Sequence, residues 1–267
     1  MTNISGGSNS NSEAEGSNGA AGYADGGIAY SGNTDFGLTI ADCTAAIAAA
    51  YLNRGGAYYE TGEFDLAIAD CNEAVRLDPG LAIAYKGRGD AYLGLGEIDQ
   101  AIADYNEAVR LDPNLTIAYK SRGCAYYGKG DLDSAVANYN KAIELDPDFA
   151  EAYLGRSIVY FDKNKRDTDK AITDYAEAIR LNPNLAIAYI GKGTAYSNNC
   201  FLDIAIANYT ETIRLDPHNA DAYFLRGDAY MKRGDADLAE ADYTEARRLD
   251  LDMFGHTTIN HNIGGDL

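Results

Sequence analysis

Basic residues are scarce in this chain. Its 267 residues hold 22 lysines and arginines against 41 aspartates and glutamates, a formal net charge of −19. Phosphate backbones and anionic membranes need clustered basic side chains, so neither nucleic acid nor a membrane surface is expected as partner. A basic or apolar partner is electrostatically easier. Long apolar runs are also missing. The nearest, "TIADCTAAIAAAYL" from Thr39 to Leu52, is shorter than the roughly 18 residues that cross a bilayer and contains Asp42. No basic stretch followed by an apolar one opens the sequence, so no secretion signal is expected and the location reads as cytoplasmic. The four cysteines (Cys43, Cys71, Cys124, Cys200) form no CxxC pair and no metal-ligand spacing. They read as reduced thiols, each a small buried or half-buried apolar residue.

Signs of catalysis are absent as well. The three histidines are His218, in a turn, and His256 and His261 near the carboxyl end; none has a metal-spaced partner or a patterned nucleophile. Glycines such as Gly87 and Gly89 lack the strand context of a nucleotide loop. "RGD" at Arg88–Asp90 and Arg226–Asp228 falls within helical pattern. "DKNKRDTD" (Asp162–Asp169) lacks the central glycine and closing glutamate of a calcium loop, and reads as a lengthened turn. No catalytic residue, cofactor or metal site is expected, and the protein is not read as an enzyme.

What is present in abundance is tyrosine, and it is periodic. Tyr51, Tyr85, Tyr119, Tyr153, Tyr189 and Tyr223 recur at a spacing of 34 residues, widened to 36 once, between Tyr153 and Tyr189. Each opens the same framework. One copy reads Tyr85, Gly89, Tyr92, Ala101, Tyr105, Ala108, Pro113; the next reads Tyr119, Gly123, Tyr126, Ala135, Tyr139, Ala142, Pro147. Tyr85, Gly89 and Tyr92 share one helix face. Gly89 removes bulk there, so a second helix can approach at Ala101. Asp65, Asp99, Asp133, Asp169, Asp203 and Asp237 stand where second helices begin and read as caps. Proline then ends each second helix but the last, where Leu251 replaces it, and Asn114 and Asp148 read as caps of the next.

This period and framework closely resemble the tetratricopeptide repeat, a helix–turn–helix unit of 34 residues. The resemblance implies an all-α fold: a right-handed superhelical α-solenoid of stacked units. Six units are delimited at 48–81, 82–115, 116–149, 150–185, 186–219 and 220–253. A Gly/Ser/Asn-rich tail (1–19) and a truncated, degenerate unit (20–47) precede them, and a tail (254–267) follows. In the degenerate unit, Tyr23, Gly27, Tyr30, Cys43 and Ala46 stand in register, but the turn with its proline is missing. One continuous helix over about 35–59 is therefore expected.

In this family the first helices line a concave groove that holds partner peptides. Carried onto these positions, the groove is Leu52, Tyr59, Ile83, Lys86, Asp90, Leu93, Ile117, Lys120, Cys124, Tyr127, Leu154, Ile158, Phe161, Ile190, Phe224 and Met231. Leu93, Tyr127 and Phe161 are favoured as contacts over burial. Lys86 and Lys120 sit where some relatives grip an acidic chaperone tail, but Asp90 and Cys124 replace the asparagine such a clamp needs. The expected function is a protein-interaction scaffold with a protein or peptide partner. The competing reading is self-association through the last unit, with Leu249, Leu251, Met253 and Phe254 as contact or improvised cap, because nothing amphipathic follows it. One further pattern concerns the fold itself. Arg54, Arg88, Arg122, Arg156, Lys192 and Arg226 follow each opening tyrosine by three. Opposite them stand Asp70, Asp104, Asn138, Asp174, Asn208 and Asp242. A ladder of charge-assisted hydrogen bonds is expected.

Overall fold

A computed structural model describes the backbone of residues 36–163 and 167–259, and the side chains of 39–162 and 167–249. The chain divides into two compact units, Met1–Ile40 and Ala41–Leu267. Of the first, residues 36–40 are described, as helix. The tail 1–19, Tyr23, Gly27, Tyr30 and His261 lie outside the described residues, as do 164–166 of the lengthened turn and the side chains of Leu251, Met253, Phe254 and His256.

Among the described residues the chain is all helical, with no strand. First helices are α1 (Phe36–Glu60), α3 (Ala82–Gly94), α5 (Thr116–Lys129), α7 (Ala150–Lys163), α9 (Ala186–Asn198) and α11 (Ala220–Arg233). Second helices are α2 (Phe64–Leu77), α4 (Ile98–Leu111), α6 (Leu132–Leu145), α8 (Thr168–Leu181), α10 (Leu202–Leu215) and α12 (Ala236–Ile259). The five prolines of the sequence, Pro79, Pro113, Pro147, Pro183 and Pro217, all follow second helices at the same register. Where proline is missing the helix runs on. Residues 36–60 form the expected single helix, with no break between Ala45 and Ala50. At the other end Leu251 stands in the proline slot, and α12 continues to Ile259 instead of folding back.

The "LDP" and "LNP" endings build the turn between units. The residue before proline is pushed out of the helical region: Asp78, Asp112, Asp146 and Asn182 are extended. Each side chain then accepts the backbone N–H two residues on, as Asp112 Oδ1 does from Asn114 at 2.9 Å and Asn182 Oδ1 from Asn184 at 3.1 Å. The cap expected of Asn114 is therefore not formed; Leu115 holds that position without a side-chain bond. Asp148 likewise donates its N–H to Asp146 Oδ1 at 3.1 Å. The aspartates expected to cap the second helices also sit elsewhere. Asp65, Asp99, Asp133, Asp169, Asp203 and Asp237 lie inside the first turn. There they act on the exposed N–H dipoles rather than as caps. The one second-helix cap with a side-chain bond among the described residues is Asp131, which accepts from Ser134 N at 3.1 Å.

Between first and second helices the chain reverses at a left-handed residue. Gly62, Gly96, Gly130 and Gly234 take φ between 78° and 100°. In unit five Cys200 fills that slot at φ 61°. It is exposed, as is Cys43, so the expectation of burial holds for Cys71 and Cys124 but not for these two. The turn geometry dictates this for Cys200: its side chain projects from a tight reversal. A left-handed non-glycine residue costs about 1 kcal/mol or more. Cys200→Gly is therefore expected to raise the urea midpoint, by about 1 kcal/mol in unfolding free energy. An unchanged or lower midpoint would refute this account of the turn.

Within Ala41–Leu267, each first helix packs on its own second helix, and each second helix on the next first helix. First helices of successive units also touch: α3 with α5, α5 with α7, α7 with α9, α9 with α11. Successive second helices do not approach this way among the described residues. The first helices therefore form the inner row of the solenoid. The core between rows is alanine and tyrosine: Ala101, Tyr105, Ala108, Ala135, Tyr139 and Ala142 are buried. Small residues let the helices close on the flat rings.

Candidate functional site

The two charged columns form the expected ladder. Arg54 Nε and Nη2 donate to the Asp70 carboxylate at 2.6 and 2.7 Å. Arg88 makes the same fork to Asp104, Arg156 to Asp174 and Arg226 to Asp242, all at 2.6–2.8 Å. Arg122 donates to the amide oxygen of Asn138 at 2.6 Å. Each guanidinium also lies over the opening tyrosine of its unit, 5.2–5.6 Å from the ring centre.

A further link escaped the sequence reading. From the second unit on, the remaining nitrogen reaches back to the preceding unit: Arg88 to Asn72, Arg122 to Asn106, Arg156 to Asn140, Arg226 to Thr210, at 2.6–3.1 Å. The ladder thus ties units together as well as helix pairs. Lys192 departs from it. The residue that should receive it from behind is Ala176. Burial alone lowers the lysine's pKa. The rung is missing on both sides at once: no fork on the first helix, no acceptor on the preceding second helix.

The residues assigned to the inner face separate into two groups. Leu93, Cys124, Tyr127, Leu154, Ile158, Phe161 and Ile190 are half-buried and pack on the hydrophobic clusters. Leu52, Lys86, Asp90, Ile117 and Lys120 are half-buried too. Tyr59, Ile83, Phe224 and Met231 are exposed, at 38, 37, 51 and 49%. Ile187, at the Ile83 register of unit five, reaches 55%. A second exposed row, Leu66, Ile204 and Leu238, occupies one register of the second helices. The sequence reading gave those no role, since it followed the first helices alone.

Several inner-face polar groups already have partners. The Tyr105 hydroxyl donates to Asp90 Oδ1 at 2.8 Å, and Lys86 Nζ meets Asp90 Oδ2 at 2.5 Å. Tyr139 donates to Cys124 Sγ at 3.1 Å, Tyr209 to Thr194 at 3.3 Å, and Tyr243 to Asp228 at 2.8 Å. Tyr127 donates to Asp162. So in units two, three, five and six the position after the helix glycine anchors the tyrosine of the same unit's second helix. Burial first of all raises the pKa of Tyr105 and Tyr139, and pushes Tyr175 up to about 12. These phenols stay protonated and donating at neutral pH.

Unit one is built differently. Cys71 occupies the second-helix tyrosine slot, and Gly56 the slot that would receive a hydroxyl. Around them lies a cavity of about 380 Å³, lined by Leu52, Gly55, Gly56, Tyr59, Cys71, Ile83 and Gly87, with Glu60, Lys86 and Asp90 also contributing. Cys71 is buried, and burial pushes its thiol up to about 11. That keeps it a neutral thiol, inert as a nucleophile. Among the described residues no group of three or more metal-binding side chains converges, and no helix is long and apolar enough to cross a membrane.

Stacked helix pairs with a ladder between them and a half-apolar inner row define a repeat solenoid. Family models described as tetratricopeptide repeat match residues 48–81, 150–185 and 190–252, and one described as TPR repeat matches 89–130 and 123–164. The chain belongs to the tetratricopeptide repeat family. A search of curated proteins finds no match. Among solved structures the chain is similar to MamA, at 29% identity over 62% of this chain and 96% of that one, with a TM-score of 0.58. PilF of Pseudomonas aeruginosa aligns over 77% and 93% at 18% identity, with a TM-score of 0.70. YrrB, described as a TPR protein with an unusual peptide-binding site, aligns over 68% and 93% at 22% identity, with a TM-score of 0.56. The last two likenesses bear on the fold alone.

Proposed function

We propose that this protein is a non-enzymatic scaffold, an adaptor that holds an extended segment or helix of a partner protein along its first helices. The observation that carries the reading is the exposure of Ile83, Ile187, Phe224 and Met231 on the inner row of an otherwise acidic solenoid. Apolar side chains spaced along such a row suit the apolar side of a bound helix or segment. The ladder holds the row rigid, so the partner bears most of the ordering cost. A peptide-binding site described for YrrB accords with this use of the fold.

The test is a displayed peptide library, with Ile83→Asp, Ile187→Asp and Phe224→Asp combined in one variant. These side chains are exposed, so helicity and urea midpoint should hold while selected peptides bind at least tenfold more weakly. Unimpaired binding rejects the inner-row model. Leu93, Tyr127 and Phe161 are unsuitable for this purpose, because their packing on the core would confound a loss of binding with a loss of fold.

A second reading, self-association through the last unit, has its own support. Ala220, Phe224, Tyr243 and Ala246 border a cavity of about 450 Å³ between α11 and α12. Sedimentation over a range of concentrations decides it: a monomer throughout excludes stacking between copies.

A further inference from the structure

In four of the six units a tyrosine ring of the second helix (Tyr105, Tyr139, Tyr175, Tyr209) fills the space between two first helices. Tyr139 shows the full arrangement. A Cβ built on Gly123 of its own unit meets the ring at 3.1 Å, and one built on Gly155 of the next unit collides with the same ring. Tyr175 lies equally close to Gly191, 2.5 Å from such a Cβ. Tyr139 is thus flanked by two glycines, whereas the ring at each other junction has one, with Ser121, Ser157 or Leu225 at the second position. Unit one keeps both. Gly55 and Gly87 stand at the equivalent positions, yet the residue between them is Cys71. A Cβ on either glycine meets the Cys71 sulfur at 3.4 Å, an ordinary contact, and one on Gly56 meets nothing within 4 Å. The cradle of the ring has been retained, while the ring and its hydroxyl acceptor have both been lost.

From this we infer that the cavity of about 380 Å³ at the junction of units one and two binds an aromatic side chain, tyrosine or phenylalanine, of the partner peptide. The inference rests on the scaffold reading and names the anchor that reading requires. The space is ample: cavities of about 150 Å³ lined by apolar groups accept a benzene ring. Leu52, Gly55 and Gly87 supply flat walls, and Cys71 a polarisable floor that suits a ring edge. Tyr59 and Ile83 stand exposed at the mouth, where they cover the segment that carries the ring. Glu60 leaves the mouth acidic, since Lys86 and Asp90 neutralise each other. A lysine or arginine beside the aromatic residue complements that charge. An aromatic anchor seated in a pocket central to a contact typically dominates binding.

Two variants close the cavity. Cys71→Tyr restores the side chain used by the other units. Gly87→Leu fills the space from the opposite wall, with the residue that Leu225 supplies at the same register of unit six. The full chain and both variants are titrated with p-cresol, the tyrosine side chain alone, while the amides of Gly55, Gly56 and Gly87 are followed by NMR. All three proteins are also passed through the displayed peptide library. The expected result is saturable shifts at those amides in the unsubstituted chain only. Its selected peptides should share one aromatic position, and both variants should bind them at least tenfold more weakly. Peptides without a shared aromatic residue, bound equally by all three proteins, overturn the pocket and leave the scaffold reading standing. Saturable p-cresol shifts with no peptide selected keep the pocket and remove the scaffold reading. Absence of both removes both. Should Cys71→Tyr fail to fold by circular dichroism, Gly87→Leu decides alone.

Discussion

Replacing Arg156 with alanine should lower the unfolding free energy by about 2–4 kcal/mol, the largest effect expected of any single rung. The loss comes less from the bonds removed than from what they leave behind. Asp174 is 5% exposed and takes two guanidinium bonds, at 2.7 and 2.8 Å. Without Arg156 its charge stays buried and unpaired. The arginine itself is half-buried, so water reaches part of the gap, and the upper end of the range for fully buried pairs does not apply. The same change frees Asn140 in the preceding unit and uncovers Tyr153 and Tyr160. Asp174→Asn is the control. Arg122 already pairs with a neutral Asn138 at 2.6 Å, so an amide in this slot is tolerated. That variant should cost less than half as much. Equal losses for the two variants, read as urea midpoints, would show that the ladder's charge is not what matters.

The ladder also explains why so much of the fold could be read in advance. A solenoid repeats its contacts, so a physical pairing becomes two columns that vary together down the sequence. Arg122 with Asn138, or Lys192 with Asn208, still sits on the columns even where the charge has gone. Turn chemistry was harder. Asp65 and its equivalents were assigned as caps from position alone, but the chain enters these helices two residues earlier, through Glu63, Glu97, Asp131, Asp167 and Phe201. The aspartate or asparagine before each proline was read as part of an ending, when it also builds the next turn through its side chain.

The inner face was legible in outline and opaque in detail, for a definite reason. Helical spacing says which residues share a face; it does not say how far a side chain from the neighbouring helix reaches. Asp90 and Cys124 stand on the inner row as expected, yet the hydroxyls of Tyr105 and Tyr139 arrive from the second helix and occupy them. Leu93 and Phe161 share a register with Met231, but only Met231 is exposed. The place of Cys71 in the second-helix tyrosine column could be counted from the sequence. Its consequence was not legible, because a small residue in a large residue's slot fills the pattern while leaving a hole in the structure.

That hole makes the glycine column respond with opposite signs. Gly191→Ala should destabilise the chain by up to about 2 kcal/mol. The added Cβ would lie 2.5 Å from the ring of Tyr175, which is buried and has little room to move. Overpacking of this kind costs about 1–3 kcal/mol, offset by about 1 kcal/mol from placing alanine instead of glycine inside a helix. Gly155→Ala should follow it, since the Tyr139 ring is as close. Gly87→Ala, at the same register of unit two, should instead stabilise by up to about 1 kcal/mol. Its nearest neighbours are the Cys71 sulfur at 3.4 Å and Leu52 Cδ1 at 3.6 Å, both ordinary contacts. Helix propensity is common to all three changes, so the difference between them reports the ring. The cross-check is to repeat Gly87→Ala in a Cys71→Tyr background. The restored ring should offset the gain or turn it into a loss, a coupling of about 1–3 kcal/mol between two residues that are otherwise independent. Additive effects would mean that the tyrosine does not enter the space between Gly55 and Gly87, and that the cradle there was never shaped for a ring.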